Sequence, residues 1–339
     1  MDQSSASRVI DLPDRILVAD ELKKTYGRRP ALQGLSFSLQ AGRILGFLGP
    51  NGAGKTTSIR ILTTMLEPDS GQFSVAGISS RYPQRIRRAI GVLPESLGFP
   101  RQTTGIEYLS YFGQLYGQTA VAAKRRALVL LEEVGMQKRA TSLIGTYSHG
   151  MRQRLGIARA LVNDPLVVFL DEPTLGLDPR GQQELLGLIR HIARERSAGV
   201  VLCSHLLWEI EGICDDVVIL NTGRVVAKGT VGEVIGGARQ EALRRNVLRI
   251  QVPSSSVAEA QLVLAATPRV VRVTPTGETA GWFRVELADA NGDAAPDEGL
   301  LNNKILESLI QAQIPILSFG AEGGRLQDVF LHLTREAIK

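Results

Sequence analysis

The chain has 339 residues, 44% hydrophobic, 22% charged and 5% aromatic, with a formal net charge of +5. This length allows one large domain with a sizeable core plus a smaller one, and the composition is that of a globular protein, if poor in aromatics. The two cysteines, Cys203 and Cys214, exclude a disulfide framework and a CxxC pair and fit a reducing compartment.

The mild positive balance suits an anionic ligand, nucleic acid or a membrane face, with solubility charge as the plainer reading. The opening MDQSSASRVIDLPDR has no basic n-region followed by an apolar core. Residues 1–15 are therefore expected to form a flexible N-terminal extension rather than a secretory leader. Apolar runs such as PLVVFL and GVVLC are too short to span a bilayer, so a membrane role calls for a partner.

In chain order, RILVADELKKTYG and LSFSLQAGRILGFLGP alternate and bunch β-formers as strands do, and GKTTSIRILTTML has helical spacing. GQFSVAGIS and AIGVLP give short strands. From Thr103 to about Gly145 the pattern is helical, through GIEYLSYFGQLYG and AVAAKRRALVLLEEVG. GMRQRLGIARALVND is a further helix, ended by Asp164-Pro165. An apolar strand LVVFLDEP, a helix from about Arg180 to Arg196 and a buried strand GVVLCSH follow. Strands apolar on both faces that alternate with helices indicate an α/β parallel sheet covered on both sides. DDVVILNTGRVVAKG is a hairpin closing that domain, and IGGARQEALRRN supplies a linker, placed at residues 237–245. Beyond it VLRIQV, SVAEAQLVLAA, RVVRVTP, GWFRVELA, EGLLNNKILESLIQAQ and IPILSFG run in the order βαββαβ. That order fits a small α+β ferredoxin-like accessory domain over residues 246–339, with ADANGDAAPDEG as a loop and RLQDVFLHLTREA as a last helix.

Two stretches carry chemistry. GPNGAGKTT matches G-x-x-x-x-G-K-[ST] in full, between a predicted strand and a predicted helix. Gly49, Gly52 and Gly54 let the backbone turn so that successive N–H groups surround phosphates; Lys55 reaches the β- and γ-phosphates and the Thr56 hydroxyl serves Mg²⁺. The whole loop, with Pro50, Asn51, Ala53 and Thr57, is the expected nucleotide cradle. In LVVFLDEP an apolar strand ends abruptly in Asp171 and Glu172, which places two carboxylates at the sheet edge where ligands of α/β proteins bind. Unpaired buried carboxylates are costly, so a cation beside Asp171 and a water beside Glu172 explain the pair.

With these motifs the chain resembles an ATP-binding-cassette ATPase over about residues 16–236. The resemblance implies a P-loop core with an inserted helical subdomain (about residues 96–163), ATP and Mg²⁺ as cofactors, and a second nucleotide-binding subunit. Two such subunits pack head to tail and trap two ATP molecules between them. YSHGM then sits where the family carries its LSGGQ-like signature: Ser148 and Gly150 match and face the partner's γ-phosphate, whereas Tyr147, His149 and Met151 depart. Tyr26 matches the aromatic that stacks on adenine, Asp178 in LGLDP the loop that touches the opposite site, and His205 the switch histidine. Glu95 in GVLPES stands where the family's loop generally begins with Gln; it remains an expected catalytic and metal-facing position, in a form met in exporter-like members.

By the same resemblance the chain is expected to be the ATPase of an exporter. It would work with a separate transmembrane permease at the cytoplasmic face of the membrane, as a peripheral subunit, and without nucleic acid. TTGIEYLSYFGQLYG and the ending RLQDVFLHLT are similar to segments of the multidrug and antibiotic exporter branch. The alternative is a soluble ATPase of the same family acting on the ribosome or nucleic acid; a P-loop kinase is a third.

Overall fold

The computed structural model describes residues 14–96, 98–204, 206–244, 247–276, 281–288, 298–321, 326–327 and 329–330. Most of the predicted N-terminal extension, His205, the predicted 288–299 loop over 289–297 and most of the predicted last helix lie outside them. The chain divides into two compact units at Val231/Gly232.

The first unit begins with β1 (Leu17–Tyr26), β2 (Arg29–Leu39), β3 (Ile44–Leu48), α1 (Lys55–Leu62), β4 (Ser70–Val75), β5 (Ile78–Ser79), α2 (Pro83–Ala89) and β6 (Ile90–Leu93). Helices α3 (Gly105–Leu115), α4 (Ala120–Glu133) and α5 (His149–Ala160) follow, then β7 (Val167–Asp171), α6 (Pro179–Glu195), β8 (Gly199–Cys203), α7 (Leu207–Ile213), β9 (Asp216–Asn221) and β10 (Arg224–Thr230). These strands make two sheets rather than one. An antiparallel sheet runs β2-β1-β4-β5, and a larger one runs β10-β9-β3-β8-β7-β6, parallel except for the β9–β10 hairpin. Strands β3 and β8 are buried at every residue, as a sheet covered on both faces requires. Leu17, Leu35, Phe37 and Phe73 from the antiparallel sheet share one apolar cluster with Phe47, Phe169 and Val201 of the parallel sheet and Ile59 and Ile61 of α1. Each such side chain stabilises by roughly 1.5–3 kcal/mol when fully buried.

Helix α3 starts with a full capping box, in which Thr104 and Glu107 satisfy each other's backbone N–H groups. Helix α5 ends at Ala160, four residues before the expected stop, and the chain then turns through Asp164 at φ +46°. At that turn Arg196 reaches Asp164 at 2.8 Å and pairs with Glu133 of α4, while Arg126 of α4 also meets Asp164. This half-buried ion cluster ties the helical region to the end of α6.

Helix α8 (Val231–Arg244) occupies the stretch expected as a linker, so that segment is helical up to Arg244. The second unit continues with β11 (Val247–Gln251), α9 (Val257–Ala266), β12 (Val270–Pro275), β13 (Trp282–Leu287), α10 (Glu298–Gln311) and β14 (Ser318–Ala321). Its sheet is antiparallel in the order β12-β13-β11-β14, which is the βαββαβ ferredoxin-like arrangement. Ile250, Phe283 and Val285 pack against Ala260, Leu264, Ile305 and Leu309 of the helices. Alternating burial along β13 reflects one covered sheet face.

Candidate active site

The parallel strands β3, β8, β7 and β6 are neighbours, so the segments leaving their C-terminal ends emerge along one sheet edge. Those segments carry the Gly49–Thr57 loop, Ser204, Asp171 with Glu172, and Glu95. A parallel sheet binds its ligand at this edge.

The loop after β3 turns into α1 through Gly54, at φ 110° and with a would-be Cβ only 2.7 Å from Ala31 O. Only glycine fits there. Gly223, in the β9–β10 turn, donates its N–H to Ala53 O at 3.0 Å, so a distant hairpin buttresses the loop. Lys55 Nζ donates to Gly49 O and, at 3.3 Å, to Pro50 O, which holds the ammonium over its own loop. Thr56 is exposed in the first turn of α1, and Thr57 is half-buried behind it. The Arg29 guanidinium lies beside Gly52, a neighbour the sequence pattern gave no sign of.

Asp171 is half-buried, and its carboxyl is pushed up to about 6, first by burial and then by the negative charges of Glu172 and Glu95; Lys55 and Arg60 partly offset this. The same balance places Glu95, Glu172, Lys55 and Arg60 within electrostatic reach of Asp171. Glu172 sits at φ +49°, sterically unfavourable for a non-glycine residue, and its N–H is fixed by Cys203 O at 2.9 Å. Cys203 is buried and its thiol is raised by that burial, which suits packing rather than chemistry.

The carboxylates crowd one another in a way a cation would relieve, so a divalent ion fits. Among the described residues no three His, Cys, Asp or Glu side chains could hold a metal by themselves. A Mg²⁺ ion held together with phosphate oxygens would need only one or two carboxylates. Glu95 is exposed at the start of the segment after β6. The preceding strand is held to α5 by Arg159, which donates to Val92 O at 3.0 Å.

Tyr147 is 2% exposed and its hydroxyl donates to Arg139 O at 2.7 Å, so this departure from the signature is a core anchor of the helical region. Ser148 caps α5, accepting from Met151 N–H at 3.3 Å, and stays exposed. Gly150 is half-buried in the first turn, and Arg152 folds back to Tyr147 O at 2.8 Å. Asp178 is the exposed N-cap residue of α6, and Tyr26 is 48% exposed at the end of β1. His205 lies outside the described residues; beside it Ser204 is buried and donates to Glu209 Oε2 at 2.6 Å.

Residues 32–175, from the β2 strand to the segment after Asp171 and Glu172, match the family model described as ABC transporter. The linearmycin resistance ATP-binding protein of Bacillus subtilis is 31% identical over 96% of this chain and 100% of its own length. The chain belongs to the ABC transporter family. It therefore binds and hydrolyses ATP. The daunorubicin/doxorubicin resistance ATP-binding protein of Streptomyces peucetius is 35% identical over 95% of this chain and 93% of its own length. A solved ATP-binding subunit of an ABC transporter is 33% identical with a TM-score of 0.59, covering 68% of this chain and 94% of that one. Among the described residues no helix of this ABC protein is long and apolar enough to cross a membrane.

Proposed function

We propose that the chain is the ATPase subunit of an exporter, acting on a separate transmembrane permease from the cytoplasmic face of the membrane. The observation that carries this is the extent of the similarity. It runs through both compact units into two relatives named for resistance to antibiotics, and is not confined to the ATPase core.

In the proposed mechanism two copies close over two ATP molecules. The amides of Gly49–Thr57 and the Lys55 ammonium bind the phosphates, Tyr26 stacks on adenine, and Ser148 and Gly150 of the other copy face the γ-phosphate at a helix N-terminus. Thr56, Asp171 and Glu95 would hold Mg²⁺, which supplies charge neutralisation on the phosphates when bound. Glu172 polarises the attacking water, His205 contacts the γ-phosphate, and Asp178 meets the opposite site. The chemistry is then mainly positioning and electrostatics.

Glu172→Gln is expected to bind ATP while its kcat drops by about 10²–10⁴, the usual contribution of a positioned base. Tagged Glu172→Gln chain with MgATP should recover one polytopic membrane protein from detergent-solubilised native membranes. Recovery of ribosomal proteins or nucleic acid without a membrane protein would overturn the exporter reading and leave the ATPase.

A further inference from the structure

His149 stands where the signature of the family has its first glycine, and its side chain has a definite partner. Ring Nε2 lies 2.7 Å from Leu175 O. A carbonyl oxygen only accepts, so Nε2 is the nitrogen that carries the proton and donates. The ring also lies against Gly176, where a Cβ would come within 3.3 Å of Nε2 and where φ is already +77°. The acceptor is close in sequence to the proposed chemistry. Leu175 N–H donates to Glu172 O at 3.2 Å, Leu177 N–H to Thr174 O at 3.1 Å, and Glu172 N–H to Cys203 O at 2.9 Å. The segment from Glu172 to Leu177 is thus a pair of tight turns that holds Glu172 at its positive φ, and His149 ties it to the first residue of α5.

We propose that His149 is a positioning residue for ATP hydrolysis. Its bond to Leu175 O makes the Ser148 cap and the Glu172 turn move as one piece. A glycine at this position could not make that tie. The inference rests on the proposed roles of Glu172 and Ser148. If Ser148 faces the nucleotide of the other copy, the tie links the two ATP sites through the interior of each chain.

The role needs an N–H donor at the Nε2 position and no charge. Gln at position 149 can supply a donor at about that point, whereas Phe keeps a ring against Gly176 without one. The experiment is steady-state ATPase activity of the full chain carrying His149→Gln, His149→Phe or His149→Ala, alongside equilibrium ATP binding and thermal melting. In the Phe and Ala variants kcat is expected to fall about fivefold, the rate equivalent of one neutral hydrogen bond, while ATP affinity and melting temperature hold. His149→Gln should keep kcat within about twofold of wild type, because the donor is restored. Wild-type kcat in His149→Ala, or a Gln variant as slow as Phe, overturns the proposal. Glu172→Gln measured in parallel separates the two levels. If it turns over normally, the role of Glu172 fails and the tie with it; if it is inert while His149→Ala is fully active, only the tie fails.

Discussion

Two glycine-bearing stretches of the nucleotide-binding unit, the Gly49–Gly54 loop and the start of α5, are constrained from different directions. At Gly49 and Gly54 the fold itself leaves no room for a side chain. A Cβ on Gly49 would lie 2.5 Å from Leu220 O and one on Gly54 2.7 Å from Ala31 O, both backbone atoms that have no room to move. At the start of α5 the fold is permissive. Position 149 carries an imidazole, and a Cβ on Gly150 would meet nothing nearer than Leu177 Cδ2 at 3.4 Å. The contacts within this chain account for glycine at 49 and 54; at 150 they do not require it.

The contrast has measurable consequences, the largest in stability. Gly54→Ala adds backbone strain at φ 110° to a clash with Ala31 O, and is expected to cost about 2–4 kcal/mol by denaturant unfolding without nucleotide. Gly150→Ala should leave that unfolding free energy within about 0.5 kcal/mol of wild type, since alanine suits a helix and the added methyl would make only an ordinary contact with Leu177 Cδ2 at 3.4 Å. Its kcat should nevertheless drop by about tenfold if the added methyl crowds a phosphate presented by the other copy. Equal losses of stability in both variants would erase the distinction.

A smaller effect is expected from Asp171. Burial and the neighbouring carboxylates push its carboxyl in the folded chain up to about 6, from an ordinary value of 3.8, so the folded chain binds this proton more tightly than the unfolded one. The group's contribution to stability is therefore present below about pH 4 and is lost as pH rises through about 6. Relative to wild type, Asp171→Asn should gain stability between pH 4 and pH 7 in metal-free buffer, with little difference at pH 4. A gap that stays flat over that range would mean that neither burial nor the neighbouring carboxylates hold this carboxyl above its ordinary value.

Much of this was legible from the sequence because the decisive signals are local. The Gly49–Thr57 loop, the strand ending in Asp171 and Glu172, and the βαββαβ order of the second unit depend on residues adjacent in the chain. What escaped depends on long-range partners. β1, β2 and β4 show β-type patterning as β3 does, and only packing assigns them to a separate antiparallel sheet. Helices α2 and α7 are seven residues each, too short for a 3.6-residue period to register. NTG marks a hairpin turn, but nothing in it tells that Gly223 will support Ala53. The sequence likewise leaves the direction of His149 open, because its partner Leu175 O lies 26 residues along the chain.

The direct test of the shared site is a mixing experiment with two inactive chains, Lys55→Ala and Ser148→Arg. If Ser148 serves the nucleotide bound by the other copy, a mixed dimer contains one site built from an intact loop and an intact signature. ATPase activity should then appear on mixing and scale with the product of the two concentrations while dimers are scarce. If Ser148 serves its own chain's nucleotide, every site retains a lesion and the mixture stays as inactive as its components.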